Sequence, residues 1–553
     1  MFSSIKEFRT WSLLFLLLTA VEGRLYLDPI VDTKLGLIKG VRADDGDYVM
    51  FLGVPYGKVD PDNPFGAAQP HPKFEEAYEA FDDSKMCPQK EEFTRKISGA
   101  LDCLRLNIFV PERASNRKKL PVLVWIHGGM FKFGSGAKYA YGPKYLVRHN
   151  VILVTINYRL GPYGFMCLDI PEISGNQGLK DQAMALRWIR DNIEEFGGDP
   201  NKVTAYGVSS GSACVEFHIV SRNEKLFNQA ILGSSSIYGR WAVGGIDNTV
   251  PTKLAKQLGY ETDDIHEALS FLKKTDFKLL IEAADKAPIT LIGCVEKHLS
   301  KDAFLLENPM EMKTAPKAIN MSILSGFNSD ELLLTYINKP AEFFNNIDPF
   351  RRYVNQVGFV GDTANVVYKL LRNFYIGDDP ISEHVKWQLD DFNSDVTFIY
   401  PIYKSIERYL DSGAKVIYHY LFAYSGERNF AKSRHNITVG GAAHADELGY
   451  IFDVTVLVKD VDAADQIMID KMTTMWTNFV KYGNPTPTRT QLLPVQWPAV
   501  TKDTFKYLYI GVDLIPRAKP FFYRLAFWDH FFETYGKCLD KNNEYSHVDS
   551  DLV

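Results

Sequence analysis

The feature that most constrains the fold of this chain is a serine between two glycines, placed where a strand-forming run gives way to a helix-forming one. The β-branched run Lys202-Val203-Thr204-Ala205-Tyr206 is followed directly by Gly207-Val208-Ser209-Ser210-Gly211. A Gly-x-Ser-x-Gly pattern at such a junction predicts a sharp strand–turn–helix connection, because a side chain at either glycine would collide with the neighbouring strand or helix. The pattern alone is weak evidence for catalysis, since glycine- and serine-rich turns are common.

Strand-like and helix-like runs alternate on both sides of this turn. Two runs, Pro121 to Ile126 and Val151 to Ile156, are nearly all apolar, as expected of strands buried on both faces. Apolar residues then recur at helical spacing from Leu179 to Phe196, and a Gly-Gly-Asp-Pro sequence ends that run. Further strands are predicted at 229–233, 320–326 and 416–422. The alternation predicts an α/β fold with a large, mostly parallel mixed sheet covered by helices on both faces.

The chain of 553 residues shows no internal repeat, low-complexity tract or linker that would divide it. Its 46% hydrophobic residues suffice for one large core. We therefore expect a single domain over residues 24–553. The helix-rich segments 250–313 and 338–410 are long excursions between strands, and they could form a cap beside the site.

The first residues favour secretion. Lys6 and Arg9 precede a short apolar run from Trp11 to Val21, and Gly23 suits a signal-peptidase site. The alternative is a membrane anchor, but the run is shorter than the roughly 20 apolar residues that usually span a bilayer. We predict a signal peptide over 1–23 and a soluble, extracellular mature protein without stable membrane insertion.

Composition limits the classes of partner. The net charge is −6, and no dense run of Lys or Arg is present, which argues against nucleic acid and favours a neutral small molecule. No His and carboxylate cluster has metal-ligand spacing, so we predict no metal and no cofactor. Oligomeric state stays open.

Six cysteines are compatible with an oxidising compartment. Cys87 and Cys103 enclose a short loop that a local disulfide could close, whereas Cys167 and Cys214 lie in apolar surroundings and are predicted to be buried free thiols. Two sequons, at Asn320 and Asn436, are candidate glycosylation sites.

Residues downstream of Ser209 supply the groups that a serine nucleophile needs. A serine hydroxyl requires a base to take its proton, and the base requires an anion to hold its tautomer. Asp330 and Glu331 offer an acid in a turn after a predicted strand, and His444 lies in a Gly/Ala-rich loop. The order Ser, acid, His is that of α/β-hydrolases.

A glycine-rich turn upstream offers the remaining part of an acyl-transfer site. His127-Gly128-Gly129-Met130-Phe131 follows the first buried strand directly. Its backbone N–H groups, with the N–H of Ser210, can bind the oxyanion that forms when a serine attacks a carbonyl. Each such donor contributes about 2.7–4 kcal/mol in the transition state.

Several further motifs show a family resemblance. The chain resembles the carboxylesterase/cholinesterase family, and most of all insect-type carboxylesterases, over roughly residues 25 to 530. The motifs that carry it are Phe51-Leu52-Gly53-Val54-Pro55-Tyr56, Asp102-Cys103-Leu104-Arg105-Leu106-Asn107, Asn157-Tyr158-Arg159-Leu160-Gly161-Pro162, Asn176-Gln177-Gly178-Leu179-Lys180-Asp181-Gln182, Phe196-Gly197-Gly198-Asp199-Pro200 and the His444 loop.

The resemblance implies an α/β-hydrolase fold and assigns roles by motif. By motif, the resemblance implies Ser209 as nucleophile, Glu331 rather than Asp330 as triad acid, and His444 as general base. The resemblance also implies an oxyanion hole formed by the backbone amides of Gly129, Met130 and Ser210, and a disulfide between Cys87 and Cys103. From their positions alone, His127 is expected to be structural, Asp330 to bond loop amides and Glu447 to support the His444 loop. His218, on the helix after the serine turn, is expected to be a packing or surface residue.

The chain also departs from the family pattern. Val208 stands where the family usually has an acidic residue or glutamine, Ser210 where it has alanine, and Met130 where it has a third glycine. Cholinesterases carry a choline-binding tryptophan in the loop that corresponds to the one between Cys87 and Cys103. This chain has no tryptophan there, which argues against choline esters as substrates.

We therefore predict a secreted serine carboxylic-ester hydrolase that acts through an acyl-enzyme on small to medium apolar esters. Two alternatives on the same fold are a non-catalytic ligand-binding homologue and a sequestering esterase that turns over slowly.

Overall fold

A computed structural model describes residues 29–112, 114, 118–297, 302–454 and 461–538. The predicted signal peptide lies outside the described residues. The centre of the fold is a twelve-stranded sheet. Its strands in chain order are β1 (Val41–Arg42), β2 (Tyr48–Pro55), β3 (Arg105–Pro111), β4 (Leu120–Ile126), β5 (Ile152–Ile156), β6 (Gly198–Val208), β7 (Gln229–Gly233), β8 (Ser322–Asn328), β9 (Val416–Phe422), β10 (Ala499–Val500), β11 (Lys506–Ile510) and β12 (Leu514–Ala518).

The strands lie in the spatial order β12-β11-β9-β8-β7-β6-β4-β5-β3-β2-β1, with β10 paired to β9. Every pair from β5 across to β11 is parallel, and the pairs toward both edges are antiparallel. The predicted α/β class and the mostly parallel mixed sheet are confirmed. Because parallel strands end at the same edge, residues that follow β6, β7 and β8 lie side by side.

Helices surround the sheet. Those of eight or more residues are α1 (Gln177–Asn192), α2 (Ser210–Val220), α3 (Val250–Gln257), α4 (Ile265–Lys274), α5 (Phe277–Lys286), α6 (Pro349–Val357), α7 (Gly361–Tyr375), α8 (Lys386–Ser394), α9 (Tyr400–Asp411), α10 (Ala463–Tyr482) and α11 (Phe522–Tyr535). The helix predicted over 179–196 is α1, shifted toward the N-terminus. The two predicted excursions contain α3 to α5 and α6 to α9.

Alternation along the central strands builds two cores. In β4, Val122 and Val124 belong to one buried cluster, while Leu123 and Trp125 belong to the other. Successive side chains of a strand point to opposite faces, so the clusters are the two faces of the sheet. All four residues are fully buried, which explains why the run carries no polar alternation.

The structure contains two disulfides. Cys87 pairs with Cys103, as the resemblance implied, and Cys167 pairs with Cys294. The prediction that Cys167 is a free thiol is therefore wrong: the fold brings it to a residue 127 positions away. Cys214 is a buried free thiol, as predicted.

Among the described residues, no helix has both the length and the apolar character needed to cross a membrane.

Candidate active site

The Gly-x-Ser-x-Gly sequence forms a tight turn between β6 and α2. A Cβ on Gly207 would lie 2.2 Å from the backbone of Gly211, and a Cβ on Gly211 would lie 2.2 Å from the carbonyl oxygen of Ile126 in β4. Ser209 takes φ 58° and ψ −135°, a conformation that L-residues rarely adopt. The two glycines therefore allow the close packing that presents Ser209 at the end of the sheet.

Hydrogen bonds connect the ends of three adjacent strands at this edge. The N–H of Ser209 donates to the carbonyl oxygen of Gly233 at 3.0 Å, and the N–H of Ser234 donates to that of Gly326 at 2.8 Å. The Ser234 hydroxyl then donates to Oε1 of Glu331 at 2.6 Å. The serine after β6 and the acid after β8 are thus joined through Gly233, the last residue of β7, and Ser234, the residue after it.

Glu331, not Asp330, contacts the histidine. His444 Nδ1 lies 2.6 Å from Glu331 Oε2, and the His444 N–H donates to the Glu331 carbonyl oxygen at 3.0 Å. The Asp330 carboxylate accepts a hydrogen bond from Ser329 instead. The N–H of Asn328 also donates to Glu331 Oε1, at 2.6 Å. The Ser234 hydroxyl and the Asn328 N–H therefore hold Oε1 of the carboxylate, while Oε2 faces the imidazole.

The surroundings of His444 favour its charged form. Burial lowers the pKa of the imidazole, but the charge of Glu331 and its hydrogen bond, with the charges of Glu447 and Asp446, raise the pKa above its ordinary 6.5. The Phe398 ring stacks on the imidazole at 4.6 Å between centroids. His444 Nε2 has no hydrogen-bond partner among the described residues. This nitrogen is the one available to a reacting group.

The loop that carries His444 is fixed by a buried carboxylate. Asp446 accepts hydrogen bonds from the backbone N–H groups of Ala431, Lys432 and Ala443 and from the amide of Asn429. Burial raises the pKa of Asp446 to about 6, against the effect of these donors.

The glycine turn after β4 presents free donors to the serine. A Cβ on Gly128 would lie 3.1 Å from the Ser209 Cβ, so the turn passes very close to the serine. Within the described chain, the N–H groups of Gly129, Met130 and Ser210 donate to no acceptor. Met130 has φ 56° although it is not glycine. Three N–H groups without an acceptor therefore lie in or next to the turn that approaches Ser209.

Sequence reasoning missed the residues that support the acid. Ser234 is one of these residues. Asn328 Nδ2 donates to Glu447 Oε2 at 2.7 Å, so Asn328 links two buried carboxylates. Burial raises the pKa of Glu447 to about 7. Phe398 was also missed. The sequence indicates these two residues only weakly, through the position of Ser234 and Asn328 at the ends of predicted strands.

Two histidines expected to be structural are buried away from the acid. His127 stacks on Tyr158 at 4.4 Å between centroids, and burial lowers its pKa to about 4. His218 contacts Gln182, and burial lowers its pKa to about 3. Both sequon residues, Asn320 and Asn436, are exposed. In the described ranges, no group of three or more His, Cys, Asp or Glu side chains could hold a metal ion.

Comparisons with known proteins identify the family of this chain. The model of the carboxylesterase family matches residues 27–528. The chain belongs to the carboxylesterase family. The juvenile hormone esterase of Tribolium castaneum is 31% identical over 497 residues, which are 83% of this chain and 84% of that protein. Venom carboxylesterase-6 of Apis mellifera is 28% identical over 514 residues, covering 87% of this chain and 90% of that one.

A crystal structure of another carboxylesterase relative shares the fold. Juvenile hormone esterase from Manduca sexta, with OTFP covalently attached, superposes with a TM-score of 0.79 at 27% identity, covering 92% of this chain and all of that one. This carboxylesterase is accordingly a carboxylic-ester hydrolase, and its substrates are small-molecule esters.

Proposed function

We propose that this carboxylesterase hydrolyses small to medium apolar esters through an acyl-enzyme on Ser209. The observation that carries the proposal is the Glu331–His444 contact of 2.6 Å at the sheet edge where Ser209 stands. A carboxylate that accepts from Nδ1–H leaves Nε2 as the basic nitrogen. That is the tautomer needed to take a proton from a serine hydroxyl.

Two half-reactions follow from this arrangement. Ser209 Oγ attacks the ester carbonyl carbon while His444 Nε2 takes the Oγ proton, and the N–H groups of Gly129, Met130 and Ser210 stabilise the resulting oxyanion. The tetrahedral intermediate collapses, and the alcohol leaves with the proton from His444. Water then attacks the acyl carbon with His444 as base, which releases the carboxylic acid and restores the Ser209 hydroxyl.

The test uses a matched pair of acids. With p-nitrophenyl butyrate, we expect Ser209→Ala to lower kcat by a factor on the order of 10⁴ or more, and Glu331→Gln to lower it by about 10⁴. Asp330→Asn, the neighbouring acid that does not contact His444, should stay near the wild-type kcat. A fluorophosphonate should label wild type at Ser209, found by mass spectrometry. Undiminished turnover in Ser209→Ala would refute the assignment.

We further propose that the mature protein is secreted and glycosylated. Two disulfides support an oxidising compartment, and a relative from Apis mellifera is named for venom. Expression of the full chain in insect cells should give protein in the medium whose N-terminus follows residue 23. Glycosidase treatment should lower its mass, and Asn320→Gln with Asn436→Gln should abolish that change. Retention of uncleaved protein in the cells would contradict secretion.

A further inference from the structure

A cavity of about 630 Å³ lies beside the catalytic residues, and none of Ser209, Glu331 and His444 lines it. Trp241 forms the wall toward them. Its ring lies 6.2 Å from that of Phe131 in the glycine turn and 6.1 Å from that of Phe398, which stacks on His444. The cavity is therefore a separate space, divided from the imidazole by a layer of aromatic rings.

Seven aromatic side chains line the cavity. Tyr353 and Trp528 meet edge to face at 5.7 Å, and Tyr400 stacks on Phe532 at 5.2 Å. All four residues line the space. A cavity of this size and composition falls in the range that binds small organic molecules, with its apolar walls burying the body of a ligand.

The charged groups of the lining are mainly cations. They comprise four cations (Arg240, Arg352, Lys404 and Arg408) and one acid, Asp247. Asp247 pairs with Lys253, outside the lining. The lining itself holds four cations against one acid, and because Lys404 is paired with two acids outside it, the three arginines are the charges that would attract an anion.

Arg240 differs from the other cations in its contacts. Lys404 pairs with Glu407 and Asp529, Arg408 donates to backbone carbonyl oxygens, and Arg352 also has an interaction partner in the structure. The guanidinium of Arg240 makes no hydrogen bond or ion pair with any residue that the structure describes, although the residue is half-buried. An arginine without a partner at the wall of an apolar cavity is a ready site for a carboxylate, which its planar fork can bind through two hydrogen bonds.

We propose that this cavity binds a hydrophobic carboxylate, with the apolar body against the aromatic rings and the head group on Arg240. The site goes beyond the proposed function, because binding there requires no chemistry at Ser209. Such an anion has two sources: the acid that ester hydrolysis releases, and a free carboxylate from solution.

The test measures binding without turnover. Purified Ser209→Ala protein is titrated with octanoate and with octanol, its neutral counterpart, by calorimetry. We expect octanoate to bind about tenfold more tightly than octanol. Adding Arg240→Gln should remove this preference and leave octanol binding unchanged, whereas Arg240→Lys should retain part of it. Arg489→Gln, an exposed arginine outside the lining, is the charge control.

Equal affinity of Ser209→Ala for octanoate and octanol would overturn the proposal. An equal loss of octanoate affinity in Arg240→Gln and Arg489→Gln would also overturn it. If Arg240→Gln does not fold, the salt dependence of binding replaces it as the test. Octanoate binding to Ser209→Ala should weaken as ionic strength rises, while octanol binding should not change. The same salt dependence for both ligands would refute the site. Kinetics on wild type separates the sources. Inhibition by octanoate that Arg240→Gln relieves identifies the released acid, and binding without inhibition identifies a free carboxylate.

Discussion

At the scale of single residues, the serine turn depends on glycines that tolerate no side chain. The Cβ of an alanine at 211 would lie 2.2 Å from the Ile126 carbonyl oxygen, a backbone atom of a central strand. We expect Gly211→Ala to destabilise the fold by about 3 kcal/mol and to reduce ester hydrolysis strongly. Urea unfolding and hydrolysis of p-nitrophenyl butyrate measure the two effects.

A glycine with open space is the control for this substitution. At Gly536 an added Cβ would lie 4.0 Å from its nearest neighbouring atom, in the Phe532 ring. Gly536→Ala should therefore unfold at nearly the wild-type urea concentration. Equal stability of the two alanine variants would show that the turn relaxes and that Gly211 is not sterically required.

The pKa of His444 leads to a second prediction about a single residue. Catalysis needs the neutral imidazole, and Glu331 raises its pKa above 6.5. The midpoint of the acid limb of kcat/KM should therefore lie above pH 6.5, with activity lost as pH falls through it. In Glu331→Gln, residual activity should show a midpoint at lower pH, because the charge that stabilises the imidazolium is gone. An unchanged midpoint would exclude His444 as the titrating base.

The sequence could predict which residue types form the site, but not every contact between them. Asp330 and Glu331 are adjacent in one turn, so their order alone cannot show which one meets His444. The choice is made by the backbone, which directs Asn328 N–H and Ser234 to Glu331. Ser234 itself was missed because a serine after a strand has no distinguishing pattern.

At the scale of elements, the loop carrying His444 is positioned by Asp446. Replacing this carboxylate with alanine removes the acceptor of four donors, three of them buried and one partly buried. We expect Asp446→Ala to lower the free energy of unfolding by about 3 kcal/mol and to reduce kcat more than it changes KM, since the imidazole is displaced. Urea unfolding and steady-state kinetics test both effects.

The conservative variant distinguishes positioning from overall stability. Asp446→Asn keeps one acceptor oxygen and should recover part of both the stability and kcat. If Asp446→Ala lowered stability while kcat stayed at the wild-type value, the carboxylate would support the fold without positioning His444.

Strands and helices near the site were predicted well because their patterns are local. Nearly all-apolar runs predicted β4 and β5, and helical spacing predicted α1 with a shift at its ends. Cys167 shows where this reasoning fails. Its apolar neighbours indicate burial, but burial does not distinguish a thiol from a disulfide, and its partner Cys294 is distant in sequence.

At the scale of the whole molecule, the parallel order of the sheet assembles the site from distant parts of the chain. Ser209, Glu331 and His444 follow β6, β8 and β9, and the glycine turn follows β4. Trp241, which follows β7, and Phe398, in the second excursion, stand between His444 and the cation-lined cavity. The candidate catalytic residues and the proposed carboxylate site are therefore neighbours, separated by these aromatic rings.

The two disulfides should contribute unequally to the stability of the molecule. Cys87–Cys103 spans 16 positions and Cys167–Cys294 spans 127. In the chain-entropy model, a loop of about 15 residues gives about 3 kcal/mol and one of about 100 residues gives about 4.7 kcal/mol. We therefore expect Cys167→Ser with Cys294→Ser to lower the urea midpoint more than Cys87→Ser with Cys103→Ser.

The long-range disulfide also acts on the cavity. Cys294 lies in a short strand, Gly293–Cys294, paired with Val243–Gly244, and Cys167, Val243 and Gly244 line the cavity. Its removal should weaken octanoate binding as well as stability, whereas removal of Cys87–Cys103 should affect stability alone. Cys214→Ala controls for loss of a buried sulfur that forms no disulfide. A greater loss of stability from the short loop would show that native packing, rather than chain entropy, sets the ranking.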